Sequence, residues 1–266
     1  MKPKLSASAL ATFLDSPKKY YWNYVRRLVP AQLSVTTFDH DKLAGTCWAA
    51  AVDRFYKGIA EAENRTKTLK EWEDSTDGWV PATAKTKLTT ALESWISEYY
   101  QKFSPADGIR GKGKSELWVE NDIFCGRLDG LSDDGIVHEV KSTSRAKIFT
   151  EQVWKVEHSI QVRLYCVLTG AAGYCVEFAF KDAPHQIARC NVQHVTAEQR
   201  ENWEQELNAL ATMIYSLGDD EHNYPCHTDC IICTKNFTGT CAYAPLCEFG
   251  LTEETSLFYK AKAERK

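Results

Sequence analysis

The stretch GIVHEVKSTS, residues 135–144, is composed like a buried β-strand but carries an acid and a base near its middle. In a strand, residues two apart point the same way, so Glu139 and Lys141 share one face while Val140 points into the opposite layer. Burying a charged side chain costs free energy unless an opposite charge, hydrogen bonds or a bound metal ion compensates for the lost water. The stretch therefore predicts a strand that carries a functional site.

The residues just before this strand decide whether a site can form. Asp133-Asp134-Gly135 is a hairpin signal, and Asp129 precedes it. A three-residue loop over 133–135 would set Asp129 directly opposite Glu139, with Cβ atoms ~5 Å apart on one face. A two-residue loop would set Asp129 opposite Val140 and point the carboxylates apart. Only the first register makes a site.

Two carboxylates that lie this close need a proton or a cation between them. A hard divalent ion with oxygen ligands, Mg²⁺ or Mn²⁺, fits the pair Asp129 and Glu139. Lys141 would then be a point cation beside a reacting phosphate, and Glu116 could add a further carboxylate. A short D…ExK pattern alone is more often an exposed strand pair with a turn aspartate.

A predicted helix at about 151–168 follows the strand and adds two polar side chains. Gln161 and Tyr165 are four residues apart and share one helix face. They could hydrogen-bond a backbone phosphate or orient Lys141, although an ordinary polar helix surface is the more common role.

Composition and net charge argue against a membrane partner and give no support of their own to a nucleic-acid partner. The 266-residue chain is 44% hydrophobic and 26% charged with a formal net charge of −4, so bulk charge does not favour a polyanion. No apolar run approaches membrane-spanning length and no secretion signal is evident, so we expect no membrane partner. Nucleic-acid contact would have to come from local basic patches, and the candidates are Lys18, Lys19, Arg26 and Arg27, and Arg110, Lys112 and Lys114.

The order of elements predicts an α/β (α+β) fold. Ser6 could cap a first helix, and Ser16 with Pro17 starts a second. Helices are expected at 44–63 and 83–103, with a loop between them. From about 115 strands dominate, followed by the crossover helix, two further strands, and a helix with capping-box spacing that starts after Thr196.

The motifs GRLDGL, VHEVKSTS and QVRLY, in this order, resemble the PD-(D/E)XK nuclease superfamily, in particular its RecB-type and CRISPR-associated exonuclease branch, which is common in phages. The opening LSASALATFLDSPKKYYWNYV is similar to that branch's N-terminal helices. The resemblance spans nearly the whole chain and implies a restriction-endonuclease-like mixed central sheet flanked by helices. The segments expected from it are an N-terminal helical part (1–114), the catalytic core (115–218), a cysteine-rich metal or cluster segment (219–250) and a charged tail (251–266).

The resemblance also implies roles for the motif residues. It implies metal ligation by Asp129, Glu139 and the backbone carbonyl of Val140, with Lys141 as the catalytic lysine. The other implied roles are Gln161 and Tyr165 as positioners of DNA or of the lysine, and Glu116 as the upstream acid, with Glu120 as the alternative because the offset is loose.

Two positions depart from the resembled branch. A histidine usually follows an early helical glycine as G-x-x-x-H, but Gly45 here is followed by Ala49. A metal-ligating histidine is therefore absent. A cysteine is usual near the N-terminus, where this chain has Ser16.

Half of the ten cysteines crowd into one C-terminal stretch. Thiolates select zinc or iron–sulfur iron, and four suffice for either. In the resembled branch, three such cysteines and the N-terminal one hold a [4Fe-4S] cluster. A cluster held within the segment, a substituting Zn²⁺ and an empty degenerate site all stay open, as do free thiols. The trio that most resembles the branch is Cys233, Cys241 and Cys247, with Cys230 or Cys226 as a local fourth ligand.

The resulting hypothesis is a metal-dependent DNA nuclease, in the exonuclease class, acting in DNA recombination, repair or phage DNA processing. We expect it in the cytoplasm, or the host cytoplasm if phage-encoded, with an annealing protein or helicase as a partner implied by the resemblance only. Tyr20, Trp22 and Trp48 are candidates for stacking on unpaired bases, although core packing is more common. The rival is a catalytically impaired nuclease-fold protein that binds DNA or a partner.

Overall fold

The computed structural model describes residues 2–30, 37–76, 78–104, 115–143, 159–225, 243–249 and 251–262. They group into two compact units, Met1–Thr36 with Gln205–Lys266 and Thr37–Glu204. Within the described residues, no helix has the length and apolar character needed to cross a membrane. In chain order the elements are β1 (Leu5–Ser6), α1 (Ala7–Asp15), α2 (Pro17–Tyr20), a π-helical turn (Tyr21–Val25), β2 (Leu28–Pro30), α3 (Thr37–Tyr56), α4 (Glu61–Thr76), α5 (Ala82–Lys102), β3 (Ser115–Glu120), β4 (Phe124–Leu131), β5 (Ile136–Thr143), α6 (Ile160–Thr169), β6 (Gly173–Phe180), β7 (Ile187–Arg189), β8 (Gln193–His194), α7 (Ala197–Leu217), a 3₁₀ turn (Glu221–Asn223), α8 (Ala244–Phe249), α9 (Glu253–Ser256) and β9 (Tyr259–Ala261).

A mixed sheet forms the centre of the larger unit. Strands β3, β4 and β5 are antiparallel neighbours, β5 and β6 are parallel, and β6 pairs antiparallel with both β7 and β8. Every residue of β6 is buried, as expected of a strand covered on both faces. The mixed sheet with its flanking helices confirms the predicted restriction-endonuclease-like α/β class.

Helices α3 and α5 pack together through an aromatic core that reaches the sheet. Trp48 of α3 meets Trp95 and Tyr99 of α5 with ring centroids 5.7 and 5.3 Å apart. Val140 of β5 belongs to the same buried cluster. One face of β5 is thereby fixed in the core, which obliges Glu139 and Lys141 to leave on the other.

The helical layer differs from the sequence expectation between residues 44 and 83. The predicted helix 44–63 ends at Tyr56, where Gly58 adopts φ 76°, and α4 fills most of the predicted loop. The physical reason lies in the buried side of α4, which is mostly polar, so that no apolar stripe marks it. That side consists of residues four apart along the helix: Asn64, Thr68, Trp72 and Thr76.

In the smaller unit, residues from both ends of the chain meet. Strands β2 and β9 are antiparallel, with Leu28 opposite Ala261 and Pro30 opposite Tyr259. The hydroxyl of Tyr243 donates to the carbonyl of Leu28 at 2.9 Å. Part of the segment expected as a charged tail is therefore regular structure, because backbone pairing does not depend on the charge of the side chains.

The predicted caps of the first two helices are confirmed. Ser6 accepts from the backbone N–H of Ala9 at 3.3 Å, and Ser16 accepts from that of Lys19 at 3.2 Å. Ser16, which stands where the resembled branch has a cysteine, is thus used to start α2.

A buried polar network lies under the sheet on the side of Val140. The Glu177 carboxylate, fully buried, accepts from the Tyr99 hydroxyl at 2.6 Å and forms an ion pair with the Arg189 guanidinium at 3.1 Å. Burial of Arg189 opposes its charge, but Glu177 more than offsets this and holds the pKa of Arg189 above its usual value. His138 Nδ1 lies 3.8 Å from the same carboxylate.

Removal of the Arg189 charge should therefore destabilise the folded protein. We expect Arg189→Met to lower the free energy of unfolding by about 3–5 kcal/mol, because Glu177 would be left buried with its charge uncompensated. The double variant Glu177→Gln, Arg189→Met should recover part of the loss. Urea denaturation measures both. Lys67→Met, which breaks a half-exposed pair with Glu63, is the control and should cost about 1 kcal/mol or less.

Candidate active site

The β4–β5 hairpin adopts the register with a three-residue loop over 133–135. Ser132 N–H donates to the Ile136 carbonyl at 3.0 Å, and Gly135 in the three-residue loop has φ 78°. The ladder pairs Gly130 with His138. Continued by one step, this register sets Asp129 opposite Glu139.

The ladder does not continue regularly past that point, because Asp129 takes over its bonding. The described β4–β5 pairs end at Gly130 and His138. Beyond them, the backbone N–H of Val140 donates to Asp129 Oδ2 at 2.8 Å. A side-chain carboxylate thus replaces a main-chain carbonyl and fixes the aspartate between two diverging strands.

Glu139 lies at the centre of a side-chain network on the opposite face of β5 from the aromatic core. Its carboxylate is 1% exposed and accepts from Gln161 Nε2 at 2.7 Å and from Lys141 Nζ. Lys141 also donates to Gln161 Oε1 at 3.0 Å, and Gln161 Nε2 lies 3.4 Å from the Tyr165 hydroxyl. The structure therefore brings together the predicted residues of the strand and of the helix.

The acidic side chains of the network act on Lys141 and Tyr165. Burial lowers the pKa of Lys141, but the charge and hydrogen bond of Glu139, with the charge of Asp129, outweigh it and leave that pKa above its ordinary value. Burial, with Glu139 again close by, also raises the pKa of Tyr165.

The donor set fits a hard ion only in part. Asp129, Glu139 and the Val140 carbonyl offer oxygen atoms alone, the chemistry that Mg²⁺ and Mn²⁺ prefer. No group of three or more His, Cys, Asp and Glu side chains gathers at one point within the described residues. Water and a substrate phosphate would have to complete the coordination.

The Tyr165 ring packs against the backbone of a glycine, at a position with no room for a side chain. A Cβ atom on Gly126 of β4 would overlap Cε1 of the Tyr165 ring. The glycine of the GRLD motif therefore admits the ring, and the ring in turn supports Gln161. The side chain of Thr169 donates to the Tyr165 carbonyl at 2.7 Å in the same helix.

The two candidate upstream acids, Glu116 and Glu120, bond to residues outside this network. Glu116 has φ 54° and forms an ion pair with Arg127, while Glu120 accepts from the indole N–H of Trp118 at 2.8 Å. The role of Glu116, or of Glu120, as a further catalytic acid stays a prediction.

Helix α3 passes close to the strand just after Lys141. A Cβ atom on Gly45 would lie 2.6 Å from Ser142 Oγ. Ala49, one turn further along, is half-buried and supplies no ligand atom from its side chain.

Other sequence candidates are placed elsewhere. Tyr20, Trp22 and Trp48 are buried and therefore not available for stacking on bases. Lys18 is buried in an ion pair with Glu221 at 2.8 Å, so it is not a phosphate contact. Outside the described residues lie the basic candidates Arg110, Lys112 and Lys114 and the cysteines Cys226, Cys230, Cys233 and Cys241.

Cys247 is the member of the cysteine segment that the structure describes. It is half-buried in the short helix α8, where its backbone N–H donates to the Tyr243 carbonyl at 3.0 Å. Its role as a metal ligand stays a prediction.

Comparison with known proteins identifies the family and the fold of the chain. A family profile described as the PD-(D/E)XK nuclease superfamily matches residues 4–248. A crystal structure of a protein from Eubacterium rectale, named as a candidate exonuclease, is similar to this chain with a TM-score of 0.54 at 13% identity, over 93% of this chain and 94% of that one. A structure named SSO0001 has a TM-score of 0.35 at 16% identity, over 69% of this chain and 81% of that one, which is too weak to bear on the fold. No curated protein sequence matches.

The contact between Gly126 and Tyr165 predicts a coupled pair of substitutions. Gly126→Ala should lower the free energy of unfolding by about 1–3 kcal/mol, because the added methyl group displaces the ring. In a Tyr165→Ala background the same change should cost clearly less, since the atom it would overlap is gone. Urea denaturation of the four proteins gives the coupling, and strictly additive costs would contradict the contact.

Proposed function

We propose that this chain, which belongs to the PD-(D/E)XK nuclease superfamily, is a divalent-metal-dependent deoxyribonuclease that acts as an exonuclease. The single observation that carries the proposal is that the Asp129 carboxylate accepts from the backbone N–H of Val140, the residue between Glu139 and Lys141. The name of the Eubacterium rectale neighbour supports the exonuclease class. Recombination, repair or phage DNA processing is the proposed setting, in the cytoplasm.

Asp129, Glu139 and the Val140 carbonyl would hold Mg²⁺ or Mn²⁺. When bound, such an ion polarises a phosphoryl oxygen and lowers the pKa of a water ligand. The chain's own residues do the rest. The Val140 N–H holds the Asp129 carboxylate in place, and the Gln161 amide does the same for Glu139.

Lys141 would supply the positive charge that the reacting phosphate needs. The charges of Glu139 and Asp129 outweigh burial and raise its pKa, so we expect it to act as a cation. Because Gln161 accepts from Nζ, the ammonium group is already oriented, and no reorganisation is needed as negative charge grows on the phosphate oxygens.

The cysteine segment would hold a second metal site with a structural role. We propose that Cys233, Cys241 and Cys247, with Cys230 or Cys226, bind a [4Fe-4S] cluster or Zn²⁺. Five cysteines in one stretch of the sequence are prone to oxidation and unwanted metal binding unless they are ligated. An annealing protein or helicase remains the proposed kind of partner.

One observation favours a second function. Position 49 carries an alanine where the family branch usually has a histidine, which weakens the proposed metal site. A catalytically impaired protein that still binds DNA would tolerate this loss.

Substitutions in the network should separate the two functions. Asp129→Asn and Lys141→Met should each lower Mg²⁺- or Mn²⁺-dependent DNA cleavage by about 10²-fold or more, because each removes a charge at the reacting phosphate. Release of labelled nucleotides from single- and double-stranded DNA measures this, with EDTA as the blank.

The pair Lys87 and Asp182 supplies matched controls. These residues form a half-exposed ion pair in the same unit at 2.8 Å. Lys87→Met and Asp182→Asn repeat the chemical changes without touching the network and should leave cleavage within about twofold, as surface pairs contribute little. If the unsubstituted protein binds DNA but cleaves neither form, nor RNA, with either metal, the impaired-nuclease function stands instead.

The cysteine site makes a separate prediction. Protein purified without oxygen should contain either iron with sulfide, and a brown colour, or zinc without colour. Cys233→Ser should remove most of that metal, whereas Cys125→Ser, outside the segment, should not. Metal analysis decides, and metal-free unsubstituted protein would overturn the site without affecting the nuclease proposal.

A further inference from the structure

We propose that Trp118 and Arg127 form a subsite for an unpaired nucleobase of the DNA next to the Asp129 site. The inference rests on the proposed nuclease function and narrows its substrate to DNA with unpaired bases near the cleaved bond. Trp118 was not among the aromatic residues that the sequence singled out.

Trp118 differs from the tryptophans of the protein's cores because its indole is 55% exposed. It lies on β3, a strand whose described pairing is with β4. Its N–H donates to Glu120 Oε2 at 2.8 Å, so a hydrogen bond within its own strand orients the ring. By contrast, the fully buried tryptophans are Trp22, Trp48, Trp72 and Trp95.

Arg127 stands directly across from Trp118 in the β3–β4 ladder. The Cβ atoms of such cross-strand partners lie ~5 Å apart, so the indole and the guanidinium form one surface. The Arg127 side chain is 65% exposed, and its ion pair with Glu116 holds it along the sheet. A planar guanidinium of this kind can stack beside a base or bind a phosphate.

This surface lies close to the proposed cleavage site. Asp129 follows Arg127 by two residues on β4, which is ~7 Å along a strand. A stacked nucleotide advances about 3.4 Å, and an unstacked one reaches further. A base one or two nucleotides away from a phosphate held at Asp129 can therefore reach Trp118.

The local charges favour recognition of the base over the phosphate. Among the described residues of β3 and β4, Glu116, Glu120 and Asp129 flank Arg127, so these strands attract the phosphate backbone little. The face of an indole needs no charge to bind, because stacking on an aromatic ring works with every base. It does require the base to be unpaired, since the faces of a paired base are covered by its neighbours in the duplex.

Equilibrium binding in EDTA tests the subsite without any cleavage. The probes are a fluorescein-labelled single-stranded oligonucleotide of mixed sequence, the same strand with abasic residues, and a blunt hairpin duplex, followed by anisotropy. Trp118→Ala should weaken binding of the intact single strand about 5- to 100-fold, and binding of the other two less than about twofold. Trp118→Phe should recover most of the affinity, because it restores an aromatic face.

The matched control is Phe258→Ala, which removes an aromatic ring that is 64% exposed in the smaller unit and should leave all three affinities unchanged. Thermal unfolding checks that each variant is folded. Unchanged single-strand affinity in Trp118→Ala, or an equal loss on the abasic strand, would overturn the subsite. If no metal supports cleavage but the Trp118-dependent preference remains, the nuclease proposal fails and the base subsite stands.

Discussion

The hydrogen bond from the Val140 N–H to the Asp129 carboxylate organises the site. It ends the β4–β5 ladder with a side chain in place of a backbone carbonyl, so the strands can part without leaving an unpaired amide. A buried amide without a partner would cost about 1–3 kcal/mol. The end of the ladder and the position of the aspartate therefore depend on the same hydrogen bond.

Strand β5 has a different environment on each face, because its successive side chains point to opposite faces of the sheet. Val140 packs with the aromatic residues of α3 and α5, while Glu139 and Lys141 meet α6. The apolar residues fix the register, and the register fixes the charged ones. A slip by one residue would bury the lysine in the core, which explains how a strand rich in valine can hold two charges in place.

The sequence was informative where local rules decide the structure. Strand alternation, a glycine-ended hairpin loop and helix caps depend on neighbouring residues, and they predicted the three-residue hairpin loop and the starts of α1 and α2. Helix α4 escaped prediction because its buried side is mostly polar and bonds to other elements, as Asn64 does to the Ala51 carbonyl at 2.8 Å. Lys18 and Trp118 were misjudged or missed because composition does not tell which lysine is buried or which tryptophan is exposed.

The pairing of β2 with β9 has a practical consequence for handling the protein. Leu28–Pro30 takes its described backbone partner from Tyr259–Ala261, more than two hundred residues further along the chain. A variant that lacks Tyr259–Ala261 would present an open strand edge, which favours exchange of strands between copies and aggregation.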